Sequence, residues 1–324
     1  MITQRRVQFE DSYDLKRTIE SGQAFHWFPS GESSWETAWR GFYLEVKQVS
    51  SSEIVFETNS TETDALSQVA DYFQCHIDVS SVLHTFPKDS LTEKALDRCS
   101  GLRLLRQDPW LCLASFILSS TKQITQIKEI VRLMSFQLGA SISCPDINRI
   151  VYTFPEPQDI VRAGESAVRK CKAGFRAKYI YRCAQEIESG RFDLEAVRLL
   201  SLDEARESLT SLPGVGPKIV DCVLLFAYGF SRAFPIDVWV QRVLQDYYLG
   251  GKKVSHREMR QFVDGYFGNN AGFAQQYLFD YIRSLSKTDW AALVASSSFG
   301  KRLIIFKVSN HSGHAPHHYR NEVQ

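Results

Sequence analysis

Ser211-Leu212-Pro213-Gly214-Val215-Gly216-Pro217-Lys218-Ile219-Val220-Asp221-Cys222 decides the fold of this chain, and Phe234-Pro235-Ile236-Asp237-Val238-Trp239 completes it. The first stretch reads as helix, tight glycine-rich hairpin, helix. Ser201-Leu202-Asp203-Glu204 opens the leading helix with a capping box, Glu204 lying three residues after Ser201. Pro217 suits the first position of the following helix. The apolar run Ile219–Tyr228 continues that helix until Gly229. Gly214 and Gly216 allow a sharp turn that bares backbone N–H groups beside a helix N-terminus, which suits a phosphate. A glycine-rich turn between packed helices explains the hairpin equally well when it is taken alone.

Lys218 breaks a rule. The positive end of the helix dipole lies in the first turn, where acidic side chains are favoured and a cation is not. An amine whose charged form is disfavoured, next to an apolar run, is a better nucleophile. Asp237 follows Pro235 and precedes Val238-Trp239-Val240-Gln241, so it reads as a helix N-cap.

Further segments stand outward from this pair in a fixed order: Ser21-Gly22-Gln23-Ala24-Phe25-His26-Trp27, Gly101-Leu102-Arg103-Leu104-Leu105-Arg106-Gln107-Asp108-Pro109, Gly174-Phe175-Arg176-Ala177-Lys178-Tyr179 and Gly272-Phe273-Ala274-Gln275-Gln276-Tyr277-Leu278-Phe279. With the hairpin, Lys218 and Asp237, they cover the chain from about Tyr13 to Leu285. In this combination the chain resembles the 8-oxoguanine DNA glycosylase/AP lyase branch of the helix-hairpin-helix, Gly/Pro-Asp superfamily. The resemblance implies an α+β fold: an N-terminal antiparallel β-sheet domain, then a mostly helical glycosylase domain with DNA crossing a cleft between helical lobes. The expected divisions are 1–95 for the sheet domain, 96–295 for the helical domain with its hairpin at about 202–228, and 296–324 for a partly disordered extension.

Composition sets the outer bounds. A chain of 324 residues can bury a large core in two domains. Hydrophobic residues make up 44% and charged residues 23%, ordinary for a soluble protein. The net charge is only +1, so a nucleic-acid surface has to be a local basic patch. Met1 to Val7 holds no apolar signal core, and no run approaches the ~20 apolar residues of a membrane span. The expectation is an intracellular monomer, cytoplasmic or nucleoid-associated in a prokaryote and nuclear in a eukaryote. Seven cysteines without a Cys-x-x-Cys pair favour free thiols. None follows Cys222, which excludes the iron–sulfur cluster of related superfamily branches. No cofactor is expected.

Residues 1 to about 90 look mostly β, with aromatic and β-branched runs at 39–49 and 53–58 in partial alternation, and a helix from Leu66 to Tyr72. From Thr92 the periodicity is helical. Helices are expected from Pro109, over Ile124–Leu138, from Pro145-Asp146, over Asp237–Leu249 and over Gly272–Ser286. The last stretch, with four histidines, reads as a mobile tail.

The site roles come from the resemblance alone. Lys218 attacks the sugar C1′, displaces the base and forms a Schiff base; loss of the 3′ phosphate then nicks the strand. Asp237 stabilises the oxocarbenium-like transition state. Such enzymes extrude their target base into a pocket. Cys222 and Phe279 sandwich it, Gln275 bonds its Watson–Crick edge, and the Gly22 carbonyl accepts the N7–H that only oxidised guanine carries. Gly214, Val215, Gly216 and Trp239 face the DNA backbone. Phe175 and Arg176 wedge into the stack and meet the orphaned base. A monovalent cation is admitted at the carbonyls of Thr210, Leu212 and Val215. Two departures stand out. Thr121-Lys122-Gln123 replaces an Asn-rich run, and Gln126 stands where arginine is common, which puts strict preference for an opposing cytosine in doubt. Trp239 in place of a histidine points to a prokaryotic-type member. The rival readings are a glycosylase for alkylated purines and a non-catalytic DNA-binding protein. Lys218 together with Gln275 and Gly22 speaks against the first, and Lys218 with Asp237 against the second.

Overall fold

The computed structural model describes residues 2–62 and 64–297. The histidine-rich tail lies outside the described residues. The chain begins with strand β1 (Thr3–Gln8) and helix α1 (Leu15–Glu20), then runs through β2 (Phe28–Gly31), β3 (Ser34–Trp39), β4 (Phe42–Ser50) and β5 (Glu53–Thr58). These strands form an antiparallel five-stranded sheet in the order β1-β5-β4-β3-β2. Helices α2 (Ala65–Tyr72), α3 (Val79–Leu83) and α4 (Ser90–Arg98) follow. Leu44, Val46, Ile54 and Phe56 pack with Trp27, Val69 and Phe73 on one face of the sheet. The fold is α+β as expected, with the sheet first and helices after it.

The partial alternation of the strands now has its cause. Part of the second face of the sheet is covered too. A hairpin of β6 (Ser141–Cys144) and β7 (Arg149–Tyr152) brings Cys144 and Val151 onto Ala38 and Tyr43. This corrects one expectation. Pro145-Asp146 opens no long helix, only a single 3₁₀ turn at Pro145–Ile147 that links the two strands.

The helical part continues with α5 (Pro109–Leu118), α6 (Ile124–Leu138), α7 (Pro157–Val168), α8 (Ala177–Glu188), α9 (Leu202–Thr210), α10 (Pro217–Val223), α11 (Val238–Val243), α12 (His256–Tyr266), α13 (Ala271–Arg283) and α14 (Lys287–Ala295). Two buried cores divide it. One joins α5 to α10 around Phe116, Val131, Ile180, Leu209 and Val223. The other joins α4 to α11–α14 around Leu91, Val240, Tyr248, Val263 and Leu278. A boundary at residue 95 falls inside α4, whose Leu91 and Ala95 belong to this second core. The buried segment Gly101–Gln107 ties the units together. Asp14 N–H donates to the Gly101 carbonyl at 2.8 Å, Arg106 N–H to that of Tyr72 at 2.8 Å, and Gln107 N–H to that of Phe226 at 2.8 Å. Among the described residues no helix is long and apolar enough to cross a membrane.

Candidate active site

The sequence signals at the hairpin become geometry. Ser201 and Glu204 form the reciprocal cap of α9, and Val215 N–H closes the turn on the Leu212 carbonyl at 3.2 Å. Gly214 has φ of +77°, a conformation side chains avoid. Its α-carbon also lies against Tyr179, where a Cβ would come within 2.4 Å of Cγ. Among the described residues nothing crowds the place a Cβ would take at Gly216, the N-cap of α10. Tyr179 in turn stacks edge-on against Phe175, with centroids 6.4 Å apart. Phe175 is 59% exposed. Arg176 differs from expectation. It is 3% exposed and lies beneath Phe175, its guanidinium 4.3 Å from the ring centroid. It therefore packs under the Phe175 ring instead of reaching outward.

Lys218 occupies the second position of α10, half-buried. Its ammonium donates to Ser119 Oγ at 2.7 Å and sits 4.9 Å over the Phe116 ring. Ser119 is the C-cap of α5, and its hydroxyl donates to the Phe116 carbonyl at 2.7 Å. The hydroxyl proton is thus committed, and a lone pair faces the lysine. The unfavourable dipole of the lysine's own helix is offset by the negative end of α5, the π-face of Phe116 and this acceptor. Asp237 caps α11, accepting Trp239 N–H at 3.0 Å and Val240 N–H at 2.9 Å on Oδ1. Burial pushes its carboxyl above the ordinary range; the Val240 N–H and the Lys218 ammonium work against that push. The lysine and aspartate share a field without touching.

Cys222 stands one turn beyond Lys218 and is buried. Burial pushes its thiol up to about 12, so it is neutral, although the nearby lysine opposes the shift. Gln275 is 4% exposed on α13, and its Oε1 has no hydrogen-bond partner among the described residues. A buried amide oxygen left unpaired calls for a ligand group. Gly22, with φ of +84°, lies against Phe279: a Cβ here would stand 3.4 Å from that ring and 2.6 Å from Ile124 Cδ1. The structure thus draws together Gly22 and Phe279 in space, and sets Lys218 beside Cys222 and in the field of Asp237. Trp239, 40% exposed, opens α11 beside Asp237. Gln126 is otherwise engaged than expected, its Oε1 accepting Gln123 N–H at 3.0 Å as a cap of α6. The side chain of Thr121 is outside the described residues.

Several residues at the site escaped the sequence reading. Ser119 is one. Gln23 is another: its amide donates to the carbonyls of Thr18 and Arg103, both at 2.8 Å, and accepts Leu105 N–H at 2.8 Å, which fixes the turn carrying Gly22. Gln276 donates to the Ser21 carbonyl at 3.2 Å. Asp221, 1% exposed, accepts from Arg206 Nε at 3.0 Å and Arg260 Nη2 at 2.8 Å. A carboxylate inside the apolar run of α10 was the available signal for this last group.

Comparison with known proteins identifies the family. Residues 6–113 match the 8-oxoguanine DNA glycosylase N-terminal domain, and residues 121–266 match the HhH-GPD superfamily of base excision DNA repair proteins. The chain is 30% identical over 281 residues to the N-glycosylase/DNA lyase OGG1 of Arabidopsis thaliana, covering 82% of this chain and 76% of that protein. It is 28% identical over 277 residues to the N-glycosylase/DNA lyase of Saccharomyces cerevisiae, covering 76% and 71%. The structure of the Clostridium acetobutylicum 8-oxoguanine glycosylase/lyase, bound to duplex DNA with cytosine opposite 8-oxoguanine, superposes with a TM-score of 0.78 at 31% identity, covering 87% of this chain and 97% of that one. The chain belongs to the 8-oxoguanine DNA glycosylase family, within the helix-hairpin-helix superfamily of base-excision repair proteins.

Proposed function

We propose that this protein excises 8-oxoguanine from duplex DNA and then nicks the strand, with Lys218 as nucleophile. The carrying observation is the lysine held at the head of the hairpin helix by Ser119, in the field of Asp237. The hairpin backbone at Gly214, Val215 and Gly216 grips a phosphate through its N–H groups. Phe175 wedges into the base stack beside the orphaned base. The base enters between Cys222 and Phe279, and the unpaired Gln275 Oε1 accepts from its Watson–Crick edge. The Gly22 carbonyl accepts N7–H, so ordinary guanine would set lone pair against lone pair there.

The chemistry follows from these placements. Once neutral, Nζ bonds to C1′ while the C1′–N9 bond breaks and its electron pair leaves with the base. Asp237 faces the positive charge that develops on the sugar. The amine adduct opens to a Schiff base, and loss of the 3′ phosphate by β-elimination cuts the strand. A monovalent cation would be held by the carbonyls of Thr210, Leu212 and Val215; the Leu212 oxygen accepts one N–H and keeps a second lone pair for it. Such an ion would add positive charge behind the phosphate grip. The protein acts as a monomer on duplex DNA in this reading.

Sodium borohydride reduces a Schiff base to a stable adduct. Incubation with an 8-oxoguanine duplex and borohydride is expected to give a covalent protein–DNA species. Lys218→Gln is expected to abolish that species, excision and nicking while still binding the duplex. An undiminished adduct in the variant rules out Lys218.

A further inference from the structure

Arg283 lies on the same stripe of α13 as Gln275 and Phe279, since residues four apart share a helix face. Its guanidinium carbon stands 5.0 Å from the centroid of the Phe279 ring. Its Nη1 reaches the carbonyl of Ser21, the residue before Gly22, at 3.5 Å. Phe279 and the Ser21 carbonyl lie against this cation, and Asp237 acts on it only from a distance. Asp280 is committed to Arg17 at 2.5 Å, and Asp237 is occupied in capping α11. Among the described residues no carboxylate forms an ion pair with Arg283. Burial works against its charge, opposed by the more distant fields of Asp280 and Asp237.

A half-buried guanidinium with no carboxylate paired to it among the described residues, set on the Phe279 ring and beside the turn that carries Gly22, is suited to meet an anion. Two anions are candidates. One is a DNA phosphate. The other is made by the reaction itself. When Nζ bonds to C1′ and the C1′–N9 pair departs, the purine carries a negative charge until a proton reaches it, and O6, O8 and the ring nitrogens share that charge. A fixed cation beside the stacked ring favours this distribution in the transition state and does little for the neutral base. We propose that Arg283 stabilises the departing base as an anion, a role that rests on the reading of Lys218 as nucleophile. The location of the charge favours the base over a phosphate: the guanidinium lies on the ring that stacks with the base and at the turn that binds its N7–H.

Three measurements on the full chain test this, with Arg283→Met and Arg283→Lys as variants. They are single-turnover excision of 8-oxoguanine, lyase cleavage of a preformed abasic duplex, and affinity for a duplex carrying a tetrahydrofuran abasic analogue. No base leaves in the last two. Arg283→Met is expected to slow excision by roughly ten- to a hundredfold, less than loss of a direct transition-state donor. Lyase cleavage and affinity are expected to stay at the wild-type level, and Arg283→Lys to recover part of the excision rate. Parallel loss in excision, lyase and affinity would make Arg283 a phosphate or structural contact and overturn the assignment. Unchanged excision in an active background would also overturn it. A wild-type protein that forms no borohydride-trapped adduct would instead overturn the reading of Lys218 on which it rests.

Discussion

Asp221→Asn is expected to loosen the helix that presents Lys218 without touching the pocket. The carboxylate is 1% exposed and draws Arg206 from α9 and Arg260 from α12 onto α10, so one side chain pins three helices across both helical cores. Asparagine keeps the shape and removes the charge. Two guanidinium groups then face a neutral amide. Removing one partner of a buried ion pair costs about 3–5 kcal/mol. Arg206 and Arg260 retain 18% and 24% side-chain exposure, and Arg206 keeps Asp203 at 3.1 Å, so solvent and a second carboxylate soften the loss. The lower end, about 3 kcal/mol, is the expected cost. At about 2–4 °C per kcal/mol for a unit of this size, the thermal midpoint should fall by roughly 6–12 °C. Circular dichroism melting measures it. Arg260→Gln leaves Arg206 on the carboxylate and should cost less. A midpoint for Asp221→Asn within about 2 °C of wild type would show that the triad contributes almost nothing net, and the reasoning would fail.

His26 is buried between Ser135 Oγ at 3.0 Å and Thr37 Oγ1 at 2.9 Å, and burial drives its pKa to about 4. The unfolded histidine takes a proton near pH 6.5 and the folded one does not, so stability is full above pH 6.5 and declines toward 4 by an expected ~2 kcal/mol at pH 5; urea titrations at pH 7 and pH 5 should show this decline in wild type and a smaller one in His26→Gln, and identical declines would refute it. Ser119→Ala removes the acceptor that holds Lys218 and is expected to lower excision and adduct trapping roughly tenfold, with DNA affinity and the Ser119→Thr variant near wild type; undiminished trapping in Ser119→Ala would remove the serine from the mechanism.

Local signals survived translation into structure because their physics is local. The capping box at Ser201, the cap at Asp237, Pro109 at a helix start and Gly229 at a helix end are each decided within a few residues. The long apolar period of Ile124–Leu138 fixed that helix to its ends. The strands Ser141–Cys144 and Arg149–Tyr152 left almost no signal, being four residues each and buried only by lying on a sheet formed a hundred residues earlier. Ser119 lies 99 residues from the lysine it holds, so no spacing reveals the pair. Arg283 shared a helix face with Phe279 in any reading of the sequence. That its charge would stand unpaired depended on Asp280 choosing Arg17 instead.

Tyr179 gives the hairpin and the exposed Phe175 a common footing: one ring fills the space under Gly214 and bears edge-on against the phenylalanine. If the hairpin holds a phosphate and Phe175 probes the stack, the offset between handhold and probe is set by a single rigid aromatic. The pair then behaves as a caliper with a locked jaw. It samples the duplex at a constant displacement from whichever phosphate it has seized, and each step along the backbone brings the next base under the same test.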